Sequence, residues 1–365
     1  MKFSISKDNF LEGLQQVQHV VSTRTTLPIL SNVLILADDK GLRLTTTDLD
    51  VGVSGRVDAE VATTGSTTLP ARRLADIIRA LPAEVVEVEV DAKNVATIVS
   101  GPSRFKILGL ADGEFPPLPD LDGAREFQFQ QQTLRDSLKK TSYAISTDET
   151  RYVLNGIYFT FKENKVTMVA TDGRRLAMVD HDLEFPESNE CEIIVPTKAV
   201  NELQRLLGTD GELMMRIGAS QVSFEIGDTI LVSKLIEGNY PNFRQVIPPE
   251  TKHRIVLERE SFAKIVSRIS LLASDKSNSV KLGFNDNTLT IQANSPDIGE
   301  AVETLPIAYT GEEMTIAFNP EFLMAPLRNL DSDEVYLDLI DEMSPGLVKN
   351  ESQFLYVIMP MRVSG

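Results

Sequence analysis

Cysteine is almost absent: Cys191 stands alone in 365 residues, so no disulfide can form within the chain. That suits a reducing compartment, and a cytoplasmic location is expected. No apolar run approaches the roughly 20 residues a membrane helix needs. The opening MKFSISKDNFLEGL lacks the apolar stretch of a secretory signal. Without a secretory route, the NES sequon at 350–352 carries no meaning. Phosphate-cradling GxxxxGK[ST] and GxGxxG loops are missing too. His19, His181 and His253 are scattered and read as surface residues rather than ligands. Cys191 opens CEIIVP with no histidine nearby and reads as a small hydrophobe.

What is present is an ordinary globular composition, 42% hydrophobic and 24% charged, in a chain long enough for two or three domains. The net charge of −17 excludes a protein that is basic all over, and on average disfavours nucleic acid as a partner. The distribution of charge says more than the average.

The chain repeats itself three times. LPARRLADIIRAL (69–81), VPTKAVNELQRLL (195–207) and NPEFLMAPLRNL (319–330) each place a proline four and seven residues before apolar positions. Those positions are Leu74 and Ile77, Val200 and Leu203, and Met324 and Leu327, one face of a helix with proline in its first turn. The prolines lie 126 and 124 residues apart. An earlier helical pattern precedes each, in DNFLEGLQQVQHVV (8–21), QTLRDSLKKTSYAI (132–145) and ESFAKIVSRISLLA (260–273). Alternating strand patterns lie between them at 41–48, 165–172 and 288–295. DGEFP (112–116) is echoed by EGNYP (237–241), and proline-rich connections follow both. The repeats predict three α+β domains over 1–120, 126–246 and 247–365, each a curved antiparallel sheet carrying two helices on one face.

The six helical segments are together net positive, so the rest of the chain is more acidic than the total suggests. Amphipathic helices need solvated faces, which lysine and arginine fill by default. Four of the six carrying that bias in an acidic protein predict a positive track able to neutralise phosphates without reading bases. The carboxylate clusters are Asp48 and Asp50, Asp172, and Asp331, Asp333 and Glu334. Convergent carboxylates can hold two metals, but Asp48 and Asp172 share one repeat position at a strand end, where aspartate starts a turn. A metal-dependent phosphoesterase is therefore the weaker reading, and no catalytic residue, metal or cofactor is assigned.

TLPIL (26–30), RYVLNG (151–156), ATDGRRLA (170–177), EGNYPNF (237–243) and VIMPMR (357–362) resemble, in that order along the whole chain, the β sliding clamps of bacterial DNA polymerase III. The resemblance implies three tandem domains of the DNA clamp fold, with two chains closing head to tail into a ring. It further implies that helices line the hole around duplex DNA and that the ring tethers the replicative polymerase without catalysis of its own. An ATP-driven clamp loader places it, and other polymerases and repair proteins join through short peptides with a glutamine and bulky apolar anchors.

By the same resemblance, sequence-independent contacts to double-stranded DNA fall on Arg24, Arg72, Arg73, Arg79, Arg151, Tyr152, Lys198 and Arg205. The homodimer interface falls on Arg104, Phe105 and Ile107 at one end and on Leu271 and Leu272 at the other. A partner-peptide pocket falls on Leu154, Thr171, Gly173, Arg174, Arg175, Leu176, Pro241, Arg244, Val246, Val357, Met359, Pro360, Met361 and Arg362, with Met359 to Arg362 as its movable lip. Two positions depart from the family pattern: Arg174, where many relatives carry histidine, and Gln245, where a basic residue can occur. A peptide-binding scaffold with no DNA role is the alternative that the acidic average favours.

Overall fold

The computed structural model describes residues 1–21, 27–119, 121, 123–273 and 278–362; the expectations for Arg24 and for the tail beyond Arg362 lie outside them. Six α-helices lie among the described residues: α1 (Lys7–Val17), α2 (Ala71–Ala80), α3 (Gln131–Thr141), α4 (Thr197–Leu206), α5 (Arg259–Ile269) and α6 (Pro320–Asn329). Side-chain caps start several of them. The Ser6 hydroxyl accepts from Asn9 N at 3.1 Å, and the Glu258 carboxylate accepts from Ser261 N at 2.6 Å.

The first helix of each repeat is shorter than its apolar pattern. α1 stops at Val17, while α3 and α5 tighten into 3₁₀ turns at Ser142–Ala144 and Ser270–Leu272. A tighter last turn satisfies carbonyls that have no helical donor. The expected first-turn proline holds only for Pro320, which follows the Asn319 cap. Pro70 and Pro196 instead end strands, and their helices begin one residue later. Lacking an N–H, proline suits the last residue of a strand, where it closes the ladder and precedes the helix.

Every named strand pairs antiparallel, within two compact units. One unit comprises Met1–Arg135 with Lys198–Leu235. It holds a five-stranded sheet edged by Glu60–Thr63 and Ser103–Leu108, and an eight-stranded sheet. α1 packs on strands of both sheets. Gly13 permits that approach, since a Cβ there would stand 2.4 Å from Val57 Cγ1. The other unit comprises Asp136–Thr197 with Ile236–Gly365, and has its own eight-stranded sheet and a four-stranded one edged by Gly299–Pro306. α5 likewise packs on strands of both. The expected single curved sheet per repeat is thus replaced by strands divided between two sheets.

Each eight-stranded sheet takes four strands from one repeat and four from the next. In the first, Thr229–Lys234 pairs with Val51–Val57 in the register Leu231↔Val53 and Val232↔Gly52. In the second, Phe354–Ile358 pairs with Arg175–Asp182 in the register Leu176↔Val357 and Ala177↔Tyr356. In both, the final strand of one repeat seals the strand that leaves the aspartate turn of the repeat before it. The paired side chains are buried.

One buried charge braces the second large sheet. Asp338 is fully buried; it accepts from Arg254 Nε and Nη2, both at 2.8 Å, and Lys349 Nζ stands 3.2 Å away. Burial alone would raise its pKa, but the hydrogen bonds from Arg254 and Lys349 outweigh it and hold the carboxyl below its ordinary value. A depressed folded-state pKa gives stability that is full above about pH 4 and is lost as pH falls through the folded value. Asp338→Ala is expected to lower unfolding stability at pH 7 by about 2 kcal/mol in urea titrations, with the difference from wild type shrinking in acid.

Candidate functional site

The site begins with a turn. Asp172 Oδ1 accepts from Arg174 N at 2.9 Å and Arg175 N at 3.0 Å, while Oδ2 accepts from Arg175 Nε at 3.0 Å. Thr171 Oγ1 donates to Arg175 O at 2.6 Å and accepts from Gly173 N at 3.0 Å. The turn needs a left-handed residue, and Gly173 supplies it at φ +85°. The same frame recurs one repeat earlier, where Asp48 Oδ1 accepts from Asp50 N at 3.1 Å and Val51 N at 2.9 Å. There Leu49 takes φ +81°. Both aspartates therefore serve turns, as their repeat position suggested.

The strand leaving this turn carries Leu176 into a cluster with Val357, Val169, Phe243, Leu347 and Leu355. Tyr158, Tyr240 and Ile247 pack against it, with Tyr158 and Tyr240 stacked at 4.8 Å between centroids. Leu176 and Val357 are buried and form a floor rather than exposed walls. Leu154 is buried as well. Pro241, Arg244 and Val246 are exposed beside Phe243, and the Arg244 guanidinium lies 5.3 Å from that ring's centroid.

Met359, Pro360 and Met361 are half-buried and Arg362 is exposed. Met359 N donates to Arg174 O at 3.0 Å and Met361 N to Ala317 O at 2.7 Å. The expected movable lip is thus pinned along its backbone, leaving its side chains to adapt. Arg175 is turned inward as well: it pairs with Asp172 and its guanidinium stands 4.5 Å from the Phe322 ring centroid. It holds the turn to α6, a contact that the sequence pattern did not reveal.

Of the expected DNA contacts, Arg72, Arg73 and Arg79 lie on the exposed face of α2, Arg205 is exposed on α4, and Tyr152 is 58% exposed. Several are already engaged. Arg79 pairs with Asp76 at 3.0 Å, Arg205 with Glu202 at 2.6 Å, and Lys198 with both Asp48 and the Val20 carbonyl. Only the Arg79–Asp76 pair is exposed on both sides, and such a pair is worth little and yields readily to a phosphate; Glu202 is buried and Asp48 is mostly covered. Arg73 and Arg135 are exposed and make no salt bridge among the described residues. Sequence reasoning counted Arg135 in the charge of α3 without singling it out.

The strands Ser103–Leu108 and Gly299–Pro306 are open sheet edges. Phe105 is 38% and Leu108 76% exposed, but Ile107 is only 8% exposed and faces its own core. Leu108, not among the expected residues, is the more exposed of the two. Leu271 is 80% exposed and Leu272 half-buried.

Repeats that join by sealing one another's sheets, with basic helices and an apolar floor beside a turn, are the features of a sliding clamp. Family models for the DNA polymerase III beta subunit match throughout: the N-terminal domain over residues 1–119, the central domain over 128–242 and the C-terminal domain over 244–362. The beta sliding clamp of Chlamydia muridarum is 36% identical over 363 residues, covering 100% of this chain and 99% of that protein. The solved sliding clamp of Bacillus subtilis superposes with a TM-score of 0.95 at 31% identity, covering both chains fully. A Pseudomonas aeruginosa sliding clamp solved bound to griselimycin gives a TM-score of 0.95 at 35% identity, again over both chains. The chain belongs to the DNA polymerase III beta subunit family, the bacterial beta sliding clamps. Its function is that of a clamp in DNA replication, a processivity factor and non-catalytic subunit of the polymerase, with DNA and polymerase as partners. Among the described residues no helix is long and apolar enough to cross a membrane.

The Asp172 turn makes a quantitative prediction. Asp172→Ala removes three acceptor contacts and is expected to cost about 2 kcal/mol in urea unfolding, whereas Asp172→Asn keeps both backbone bonds and costs less than half as much.

Proposed function

We propose that two copies of this chain close head to tail into a cytoplasmic ring around duplex DNA, and that the floor beside the Asp172 turn receives short peptides of the polymerase, the clamp loader and other DNA-processing proteins. The domains are taken as 1–120, 126–246 and 247–365. The observation that carries the ring is the sealing rule. Two aspartate-turn strands are each covered by the last strand of the following repeat. Among the described residues no strand covers Gly299–Pro306 from outside its sheet, and Ser103–Leu108 covers no aspartate-turn strand, so both stand as open edges. A second copy supplies what each lacks. Arg104 and Lys106 on one edge suit Glu300 on the other, where Glu303 is already paired with Arg268, and Phe105, Leu108, Leu271 and Leu272 add apolar area.

Contacts from Arg24, Arg72, Arg73, Arg79, Arg135, Lys198 and Arg205 to phosphates would be individually weak and blind to sequence, so the ring can slide. The pocket reading rests on its apolar floor and adaptable methionine lip. The griselimycin complex of a relative supports a ligand-binding surface in this family.

Leu271→Ala with Leu272→Ala is expected to give a folded monomer in sedimentation; a dimer of unchanged stability would overturn the interface. Deleting Met359 to Gly365 is expected to spare the dimer and abolish stimulation of the polymerase. A truncated protein that still stimulates would refute the pocket.

A further inference from the structure

Arg151 connects a residue expected on DNA to the turn that shapes the partner pocket. It leaves the helical conformation within Glu149–Leu154, at φ −112° and ψ 56°. From there Nε stands 3.3 Å from Asp148 Oδ2, and Nη2 donates to the Asp172 carbonyl at 2.8 Å. Its Nη1 lies over Gly173, so close that a Cβ on that glycine would come within 2.8 Å of it. The Asp172 carboxylate grips the turn from inside and Arg151 grips it from outside. The turn in turn presents the Arg174 carbonyl, which holds Met359 N at 3.0 Å and so sets the lip.

A guanidinium grips a phosphate best through two parallel N–H bonds. The Nε–Nη2 fork of Arg151 is already spent on Asp148 and Asp172, and its Nη1 side is pressed against Gly173. A phosphate takes that Nε–Nη2 fork only by drawing the side chain off the turn. We propose that Arg151 is a positioning residue of the partner pocket, and that DNA phosphate and partner peptide compete through this one side chain. Duplex bound at Arg151 frees the Asp172 carbonyl, loosens the turn and weakens the peptide. By linkage, bound peptide weakens the Arg151 contact to DNA by the same factor. The coupling rests on the peptide-pocket reading above.

The test uses the full chain and a fluorescein-labelled peptide carrying one glutamine and two bulky apolar anchors, followed by anisotropy with and without a duplex oligonucleotide at low salt. Wild type is expected to bind the peptide, with saturating duplex weakening it about three- to tenfold. Arg151→Ala is expected to bind the peptide weakly by a similar factor without DNA, and to show no further loss with it. Arg151→Gln, which keeps amide donors without the charge, is expected to recover most of the peptide affinity while remaining insensitive to duplex. It also serves if the alanine variant fails to fold. Peptide affinity unchanged in Arg151→Ala, or a duplex effect that persists in either variant, overturns the coupling. Wild type that ignores the peptide altogether overturns the pocket reading, and this inference with it.

Discussion

An unpaired strand edge leaves a row of backbone donors and acceptors without partners, and this architecture turns on how those edges are filled. Twice within the chain the strand that leaves an aspartate turn is sealed by the last strand of the next repeat. The backbone repeats down to single bonds: Lys234 N donates to Asp50 O at 2.9 Å, and Met359 N donates to Arg174 O at 3.0 Å. Successive repeats are therefore joined by sheet, not merely linked in sequence. On the proposed reading a second copy makes a third pairing of this kind, and ring closure repeats a junction that the chain has already made twice.

Equivalent backbone frames carry different chemistry. At the earlier junction the turn bears Asp50 and the sealing strand ends in Lys234, which pair at 2.9 Å. At the later junction Arg174 and Met359 occupy those places, with Leu176 and Val357 buried beneath. A salt-bridged lip favours water, whereas a methionine lip over an apolar floor favours a peptide's apolar anchors. The proposed partner pocket is thus a junction that carries different side chains on an equivalent frame. On the proposed reading the basic helices add a second, weaker chemistry, in which exposed arginines such as Arg79 can exchange a nearby carboxylate for a phosphate at little cost.

Much of this was legible in the chain itself. The threefold repeat shows because proline, helix face and alternating strand recur at a nearly constant interval. The turn role of Asp48 and Asp172 shows because they share one repeat position. Helix ends were overrun because apolar residues continue past them, buried at Val20, Val21 and Ala144 but exposed at Leu271. The division of each repeat between two sheets was hidden, since Thr229–Lys234 seals a strand from another repeat far away in sequence. The burial of Ile107 beside an exposed Leu108 was not legible, because a single residue of register decides which face of a strand is buried. The inward turn of Arg175 depends on Phe322, a residue that no local pattern connects to it.

Encirclement is the central claim, and topology tests it more directly than affinity does. The chain, loaded by a clamp loader and ATP onto a nicked circular plasmid, should stay with the DNA through gel filtration at moderate salt and be lost once a single cut makes the circle linear. Equal retention on circular and linear DNA would contradict a ring that holds DNA by enclosing it.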